Sequence, residues 1–219
     1  EYRDMLTIIR DRVQALIDAG GGGLHGIESG LALLGEADRV HASVTAGALA
    51  LQQAGIPVQL DDTRGLDHGA WVPLSFLFPD AGIPVAQLSI QPEKDPAWHI
   101  ALGRALRPLR GQGVLVIGSG SISHNLGAIF KHPQGESAPE WVTEFCDWMA
   151  AKIKAGELEA LSAYRTRAPH AVQNHPTDEH LLPLFAALGA ADKIDSAVHI
   201  NRVMTYGMLA MDAWVFDPV

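Results

Sequence analysis

The chain has 219 residues, which suits one α/β domain or two small ones. Hydrophobic residues make up 47% of it, and the formal net charge of -9 argues against a nucleic-acid surface, which needs a basic face. The sequence has no basic amphipathic stretch of the kind that docks on membranes. We therefore expect a cytoplasmic protein that binds neither nucleic acid nor membrane. The single cysteine, Cys146, excludes an intrachain disulfide and is expected to be a small core residue.

The first 36 residues differ in character from the rest. Apolar residues recur at helical spacing up to Ile17, and four consecutive glycines, Gly20–Gly23, then end the predicted helix. We therefore divide the chain into residues 1–36, an atypical N-terminal helix with a Gly-rich segment, and residues 37–219, which form the main domain.

Helices and strands alternate in the first half of the main domain. Helices are predicted at 38–55, 70–78 and 95–113, and strands at 56–60, 83–90 and 114–120. Asp67 and Asp95 can cap the second and third of these helices. This alternation predicts an α/β fold of three αβα layers, with a mixed, largely parallel central sheet covered on both faces.

The second half of the main domain is predicted to be mostly helical. Residues 138–162 and 181–191 are predicted helices, joined by a polar loop over 165–180 in which Thr177 or Asp178 can cap the second helix. Residues 203–216 alternate enough to predict a late strand or hairpin.

Four histidines stand at junctions between elements. His68 follows a loop and opens an apolar helix, and His124 follows a buried strand through a Gly-containing turn, which is where α/β proteins form a ligand crevice. His175 and His180 flank the loop-to-helix junction, where a histidine and a carboxylate are plausible metal ligands. Purely structural roles stay open for all four. His68 can be an ordinary first-turn residue and His124 an ordinary loop residue, while His175 and His180 can belong to a solvated, capped helix end.

Four separated motifs together resemble the class III extradiol ring-cleavage dioxygenases, in their 4,5-DOPA dioxygenase-like branch. In chain order they are "LDHGAWVPLSFLFPDAGIPVAQLSI", "GRALRPLRGQGVLVIGSGSISHNL", "HPTDEHLLPLFAALGAA" and "YGMLAMDAWVF". The resemblance runs from about Ala37 to the C-terminus. It implies a metal-dependent enzyme that opens a catechol-type ring with O2, so that residues 37–219 would be its catalytic domain.

The resemblance also implies roles for the four histidines. His124 matches a site histidine that serves as metal ligand or catalytic base, and His180 matches a metal-binding position. His68 matches a catalytic histidine that lines the substrate pocket, and His175 is a weaker substrate-binding candidate. The implied cofactor is Fe(II), with Zn(II) as the alternative, and the partners are a small catechol and O2. A homo-oligomer stays open.

Two motifs of the family, "HG-small-P" and "SAHW", are not in this chain. Each supplies a metal-ligating histidine in the family, whereas the chain carries the helix and the glycine run ahead of Ala37. Three interpretations stay open: part of the protein is left out of the sequence, the chain is rearranged or engineered, or it is a natural variant without a metal site. The alternative functions are accordingly a non-catalytic, engineered or truncated binding protein on the dioxygenase fold, or a zinc hydrolase.

Overall fold

The computed structural model describes residues 36–61, 63–80, 85–132, 137–191 and 196–216, with side chains from residue 45 onward. The predicted N-terminal helix and the Gly20–Gly23 run lie outside these ranges. Within them the chain forms helices and short strands, a mixed α/β architecture. Among the described residues, none of the helices has the length and apolar character needed to span a bilayer.

The described elements follow in chain order. The helices are α1 (Glu36–Gln53), α2 (His68–Leu77), α3 (Pro96–Arg110), α4 (Leu126–Ile129), α5 (Glu140–Lys154), α6 (Leu158–Ser162), α7 (Tyr164–Arg167), α8 (Ala171–Asn174) and α9 (Leu182–Ala190). The strands are β1 (Ala197–Asn201), β2 (Met204–Thr205), β3 (Leu209–Ala210) and β4 (Ala213–Phe216).

Both predicted aspartate caps are confirmed. The Asp67 carboxylate accepts a hydrogen bond from the Ala70 amide at 3.1 Å and so begins α2. The Asp95 carboxylate accepts from the Trp98 amide at 2.8 Å, and Pro96 occupies the first position of α3. These side chains satisfy amides that the first turn of a helix leaves without intrahelical partners.

The sheets are smaller than predicted. β1 pairs with β4 and β2 with β3, both antiparallel, so the predicted late hairpin is confirmed. The described parts of the three predicted strands, 56–60, 85–90 and 114–120, form no strand ladder with other described residues. The three-layer arrangement with a largely parallel central sheet is therefore not confirmed. An apolar extended segment becomes a strand only where a neighbouring backbone pairs with it.

The second half of the chain contains more helix breaks than predicted. The helix predicted over 138–162 is interrupted between Lys154 and Leu158, and the predicted loop over 165–180 contains α7 and α8. The prediction that Thr177 or Asp178 caps α9 is wrong, because neither side chain hydrogen-bonds to the start of this helix. Instead the Asp178 carbonyl accepts hydrogen bonds from the Leu181 and Leu182 amides at 2.8 and 3.0 Å.

One main core lies where α5, α7 and α9 meet. Its largest fully buried side chains include Phe145, Met149, Tyr164 and Phe185, and Cys146 is buried beside them as predicted. Burial raises the pKa of the Cys146 thiol to about 12, so this cysteine is an inert core residue.

Helices α3 and α9 pack closely through a pair of glycines. A methyl group at Gly103 would lie 2.0 Å from the Ala186 carbonyl oxygen, and one at Gly189 would lie 2.1 Å from the Ile100 carbonyl oxygen. Larger residues would force the helices apart. This contact holds α9, and with it the loop that ends at His180, against α3.

Candidate active site

Backbone hydrogen bonds bring the His124 turn and the His180 loop together. The Ser121 amide donates to the His180 carbonyl at 2.9 Å, and the His124 amide donates to the Asn174 carbonyl at 3.0 Å. Gly120 lies so close to the loop that a methyl group there would be 2.1 Å from the His180 carbonyl oxygen. The Gly/Ser composition of this turn is thus explained by close backbone approach to the histidine loop.

The C-terminal hairpin, formed by β2 and β3, fixes the same turn from its other side. The Ile122 amide donates to the Ala210 carbonyl at 3.1 Å. The Ser123 hydroxyl, which is buried, donates to the Met208 carbonyl at 2.7 Å and accepts from the Ala210 amide at 3.0 Å. Since Ser123 precedes His124 directly, these bonds limit where the His124 side chain can stand.

His124 and His180 stack on each other. Their ring centroids are 3.6 Å apart with an angle of 11° between the planes, and both side chains are only partly buried. Burial lowers the pKa of His124, and the neighbouring His180 lowers it further, whereas Glu179 acts in the opposite direction. His124 is therefore a neutral imidazole at neutral pH, able to accept a proton.

Glu179 supplies negative charge next to the stacked pair. Its Oε1 lies 3.4 Å from Nδ1 of His180 and accepts a hydrogen bond from the Thr177 hydroxyl at 2.8 Å. Burial acts to raise the pKa of Glu179, but a backbone hydrogen bond, the Thr177 hydroxyl and His180 outweigh it, so that this pKa is lowered. The carboxylate is ionised at neutral pH.

His175 lies beneath the site and has no exposed surface. Its Nε2 donates to the Ile122 carbonyl at 2.7 Å, and its ring contacts Phe145 and Tyr164. Burial lowers the pKa of His175 to about 4, although the hydrogen bond to Ile122 opposes this. This histidine is neutral and bound to the turn that leads to His124; its predicted substrate-binding role stays a prediction.

His68 is the first residue of α2 and is exposed. The preceding residue, Asp67, is held by Gln87, whose side-chain amide accepts from the Asp67 amide at 2.9 Å and donates to its carboxylate at 3.1 Å. A methyl group at the following residue, Gly69, would lie 3.9 Å from the Ser119 hydroxyl. The start of α2 thus adjoins the glycine/serine turn, and the pocket role of His68 stays a prediction.

Asn125 is a further polar residue of this turn, and it was not among the predicted site residues. Its carboxamide oxygen accepts from the Ala128 amide at 3.0 Å and begins α4, while its amide group donates to the Gln173 carbonyl at 2.7 Å. An asparagine ahead of a short apolar run is a recognised N-cap signal that could have revealed the first contact. The second joins residues 48 positions apart, and no sequence pattern indicates it.

Comparison with known proteins identifies the family. Residues 45–215 match the family described as "Catalytic LigB subunit of aromatic ring-opening dioxygenase". The chain belongs to this family, and the resemblance to class III extradiol dioxygenases is confirmed. The crystal structure of an uncharacterized protein from Escherichia coli K12 is similar, with a TM-score of 0.67 and 35% identity over 76% of this chain and 70% of that one.

Several relatives carry the name "4,5-DOPA dioxygenase extradiol". The protein from Mirabilis jalapa is 43% identical over 77% of this chain and 62% of its own length. The protein from Escherichia coli K12 is 42% identical over 64% of this chain and 52% of its own length. The chain thus spans about half to three fifths of the length of the curated relatives it matches.

Extradiol dioxygenases of this family are metal-dependent, and the described residues do not form a complete metal centre on their own. Within the described ranges, no three His, Cys, Asp or Glu side chains are grouped to hold an ion. The two stacked imidazoles also do not converge, because each nitrogen lone pair lies in its ring plane and these planes are nearly parallel. The predicted ligand roles of His124 and His180 stay predictions.

Proposed function

We propose that this chain is the catalytic domain of an extradiol dioxygenase that opens a catechol-type, DOPA-like aromatic ring with O2. Membership of the LigB family supports the reaction class. The relatives from Mirabilis jalapa and Beta vulgaris, both named as 4,5-DOPA dioxygenases, support a DOPA-like substrate. The predicted cofactor is Fe(II), with Zn(II) as the alternative; its donors must include groups beyond the two stacked imidazoles.

The observation that carries the proposal is the neutral, partly exposed His124 imidazole. A catechol must lose a hydroxyl proton to become electron-rich enough for attack by oxygen, and a neutral imidazole is a suitable acceptor. Burial, and after it the neighbouring His180, lowers the pKa of His124, so the ring carries no proton to hinder this role in the resting protein. We assign His124 as the base and His68, at the start of α2, as the residue that contacts the ring substituents.

Oxygen uptake measured together with metal content tests the proposal. The purified chain is loaded anaerobically with Fe(II), bound iron is quantified, and DOPA or protocatechuate is added while oxygen and the yellow ring-opened product are followed. Bound iron with substrate-dependent oxygen uptake and coloured product is the expected result. Iron binding without uptake of oxygen with either catechol would contradict the proposed reaction.

A non-catalytic binding protein on the same fold is the second candidate. The absence of a three-residue donor group from the described part of the chain favours it. The two candidates differ in one measurable respect, because a binding protein would hold the catechol without consuming O2. Calorimetric binding of the catechol, with no bound iron and no oxygen uptake, would select this second function.

A further inference from the structure

Arg165 connects the protein core to the loop that carries His180. Its Nη1 donates to the His175 carbonyl at 3.1 Å and to the Asp178 carboxylate, and it lies 3.5 Å from the Tyr164 hydroxyl. The His175 carbonyl and the Asp178 carboxylate belong to the loop, and the Tyr164 hydroxyl belongs to the core. One guanidinium group thus ties all three together.

The core side of this contact is the buried Tyr164. Tyr164, in α7, has no exposed surface, and its ring stacks on Phe185 of α9 with centroids 5.7 Å apart. Arg165 follows Tyr164 directly in α7, so the guanidinium starts from a backbone position that the core fixes.

Asp178 connects Arg165 to the turn that contains His180. Its carbonyl accepts hydrogen bonds from Leu181 and Leu182, which form the turn into α9 and enclose His180. Its carboxylate meets Arg165 in a partly buried setting, with the side chains 35% and 22% exposed for Arg165 and Asp178. A displacement of Asp178 would therefore move the turn, and the His180 ring with it.

We propose that the Arg165–Asp178 ion pair is a positioning device that holds the His180 ring stacked against His124. The inference rests on the proposed function only in assigning this stack a part in ring opening; the positioning itself is independent of activity. Glu179 is the other charged group at the stack, and it contacts Thr177 and His180 rather than Arg165. The pair thus acts on the loop backbone, not on the charge at the imidazoles.

Histidine NMR of Arg165→Met tests the positioning. Stacked imidazoles shift each other's ring-proton resonances upfield through their ring currents. We expect Arg165→Met to abolish this shift for His124 and His180, while the resonances of His99 and His199 stay in place. Asp178→Asn, which is nearly isosteric, is the second variant and is expected to act in the same direction, whereas Arg165→Lys should restore part of the shift because it keeps the cation.

Arg167→Met is the matched control. Arg167 lies in the same helix α7, but it pairs with Glu159 in solvent at 2.9 Å and should leave all histidine resonances unchanged. In an active preparation, Arg165→Met should lower kcat on the order of 10- to 100-fold with little change in KM, since the substrate contacts remain.

Two results would overturn the inference. One is an unchanged upfield shift of His124 and His180 in both Arg165→Met and Asp178→Asn. The other is a general movement of His99 and His199 as well, which would make the pair an ordinary stabilising contact. If the parent chain shows no ring-opening activity at all, the proposed function fails, and the NMR comparison still decides the positioning role.

Discussion

Two pairs of stacked rings in this protein have nearly the same geometry and different surroundings. The His124 and His180 rings are 3.6 Å apart at 11°, and the His199 and Trp214 rings are 3.8 Å apart at 6°. The first pair lies at a partly exposed loop junction. The second lies on the paired strands β1 and β4, where Nε2 of His199 stands 2.6 Å from the Asp212 carboxylate.

The surroundings decide what each stack can do. The His199 and Asp212 side chains are 11% and 3% exposed, so solvent and ligands have little access to them, and their contact stabilises the β1–β4 sheet. Burial raises the pKa of Asp212, and His199 opposes this rise. His124 instead has a second imidazole as its neighbour, partial exposure, and backbone bonds that fix its position. Stacking alone therefore does not indicate a reactive site.

Removing the His124 ring should produce the largest effect, and on activity. We expect His124→Ala to lower ring-opening turnover on the order of 100- to 10,000-fold, the usual contribution of a general base. Its melting temperature should stay close to that of the parent, because the side chain is only partly buried and the turn is held by backbone bonds. Oxygen uptake measures the turnover, and thermal unfolding measures the melting temperature. A variant with full turnover would exclude His124 as the base.

Breaking the second stack should affect stability instead. Asp212→Asn removes the carboxylate beside His199, and we expect the free energy of unfolding to fall by about 1 to 3 kcal/mol, because a buried polar group loses its partner. Chemical denaturation at neutral pH measures this loss. Turnover per folded molecule should stay near that of the parent.

Asp147→Asn provides the matched control for that change. Asp147 pairs with Arg202 at the surface, and the two side chains are 62% and 54% exposed. Exposed pairs contribute less than about 1 kcal/mol, so this variant should unfold nearly as the parent does. Equal losses for both aspartates would show that burial of the His199 pair adds nothing.

The sequence predicted the local structure better than the pairing of distant segments. Asp67 and Asp95 were correctly placed as helix caps because a cap depends on residues within one turn. The strands at 56–60, 83–90 and 114–120 were predicted from apolar runs, yet their described parts form no ladder. Strand pairing depends on a partner that is remote in sequence, and an apolar run does not identify one.

The sequence predicted which residues form the candidate site, but not the contacts that position them. His124 and His180 were selected from their places at element ends and from the family resemblance, and the structure brings them into contact. The bonds that position them come from elsewhere: Ser123 to the C-terminal hairpin, and Arg165 to Asp178. These contacts join residues that no spacing rule relates, so sequence patterns could not reveal them.

His175 provides a prediction of another kind, because its effect on stability arises only as the pH falls. Its pKa is about 4 in the folded protein, against about 6.5 for an ordinary histidine, so between these values the unfolded chain binds the proton that the folded chain does not. Stability therefore falls as the pH drops from 6.5 toward 4, by about 2 kcal/mol at pH 5. His124, whose pKa is also lowered, adds to the loss in the same direction.

His175→Gln isolates the contribution of this one ring. The glutamine amide can still donate to the Ile122 carbonyl, as His175 Nε2 does, but it does not titrate. The variant should start less stable at pH 7, since ring packing against Phe145 is lost, and then lose less stability on acidification than the parent. Chemical denaturation at pH 7, 6 and 5 gives the slope of the free energy of unfolding against pH for the variant and for the parent. Parallel slopes would mean that His175 gains its proton as readily in the folded protein as in the unfolded chain, and so is not the neutral support of the His124 turn.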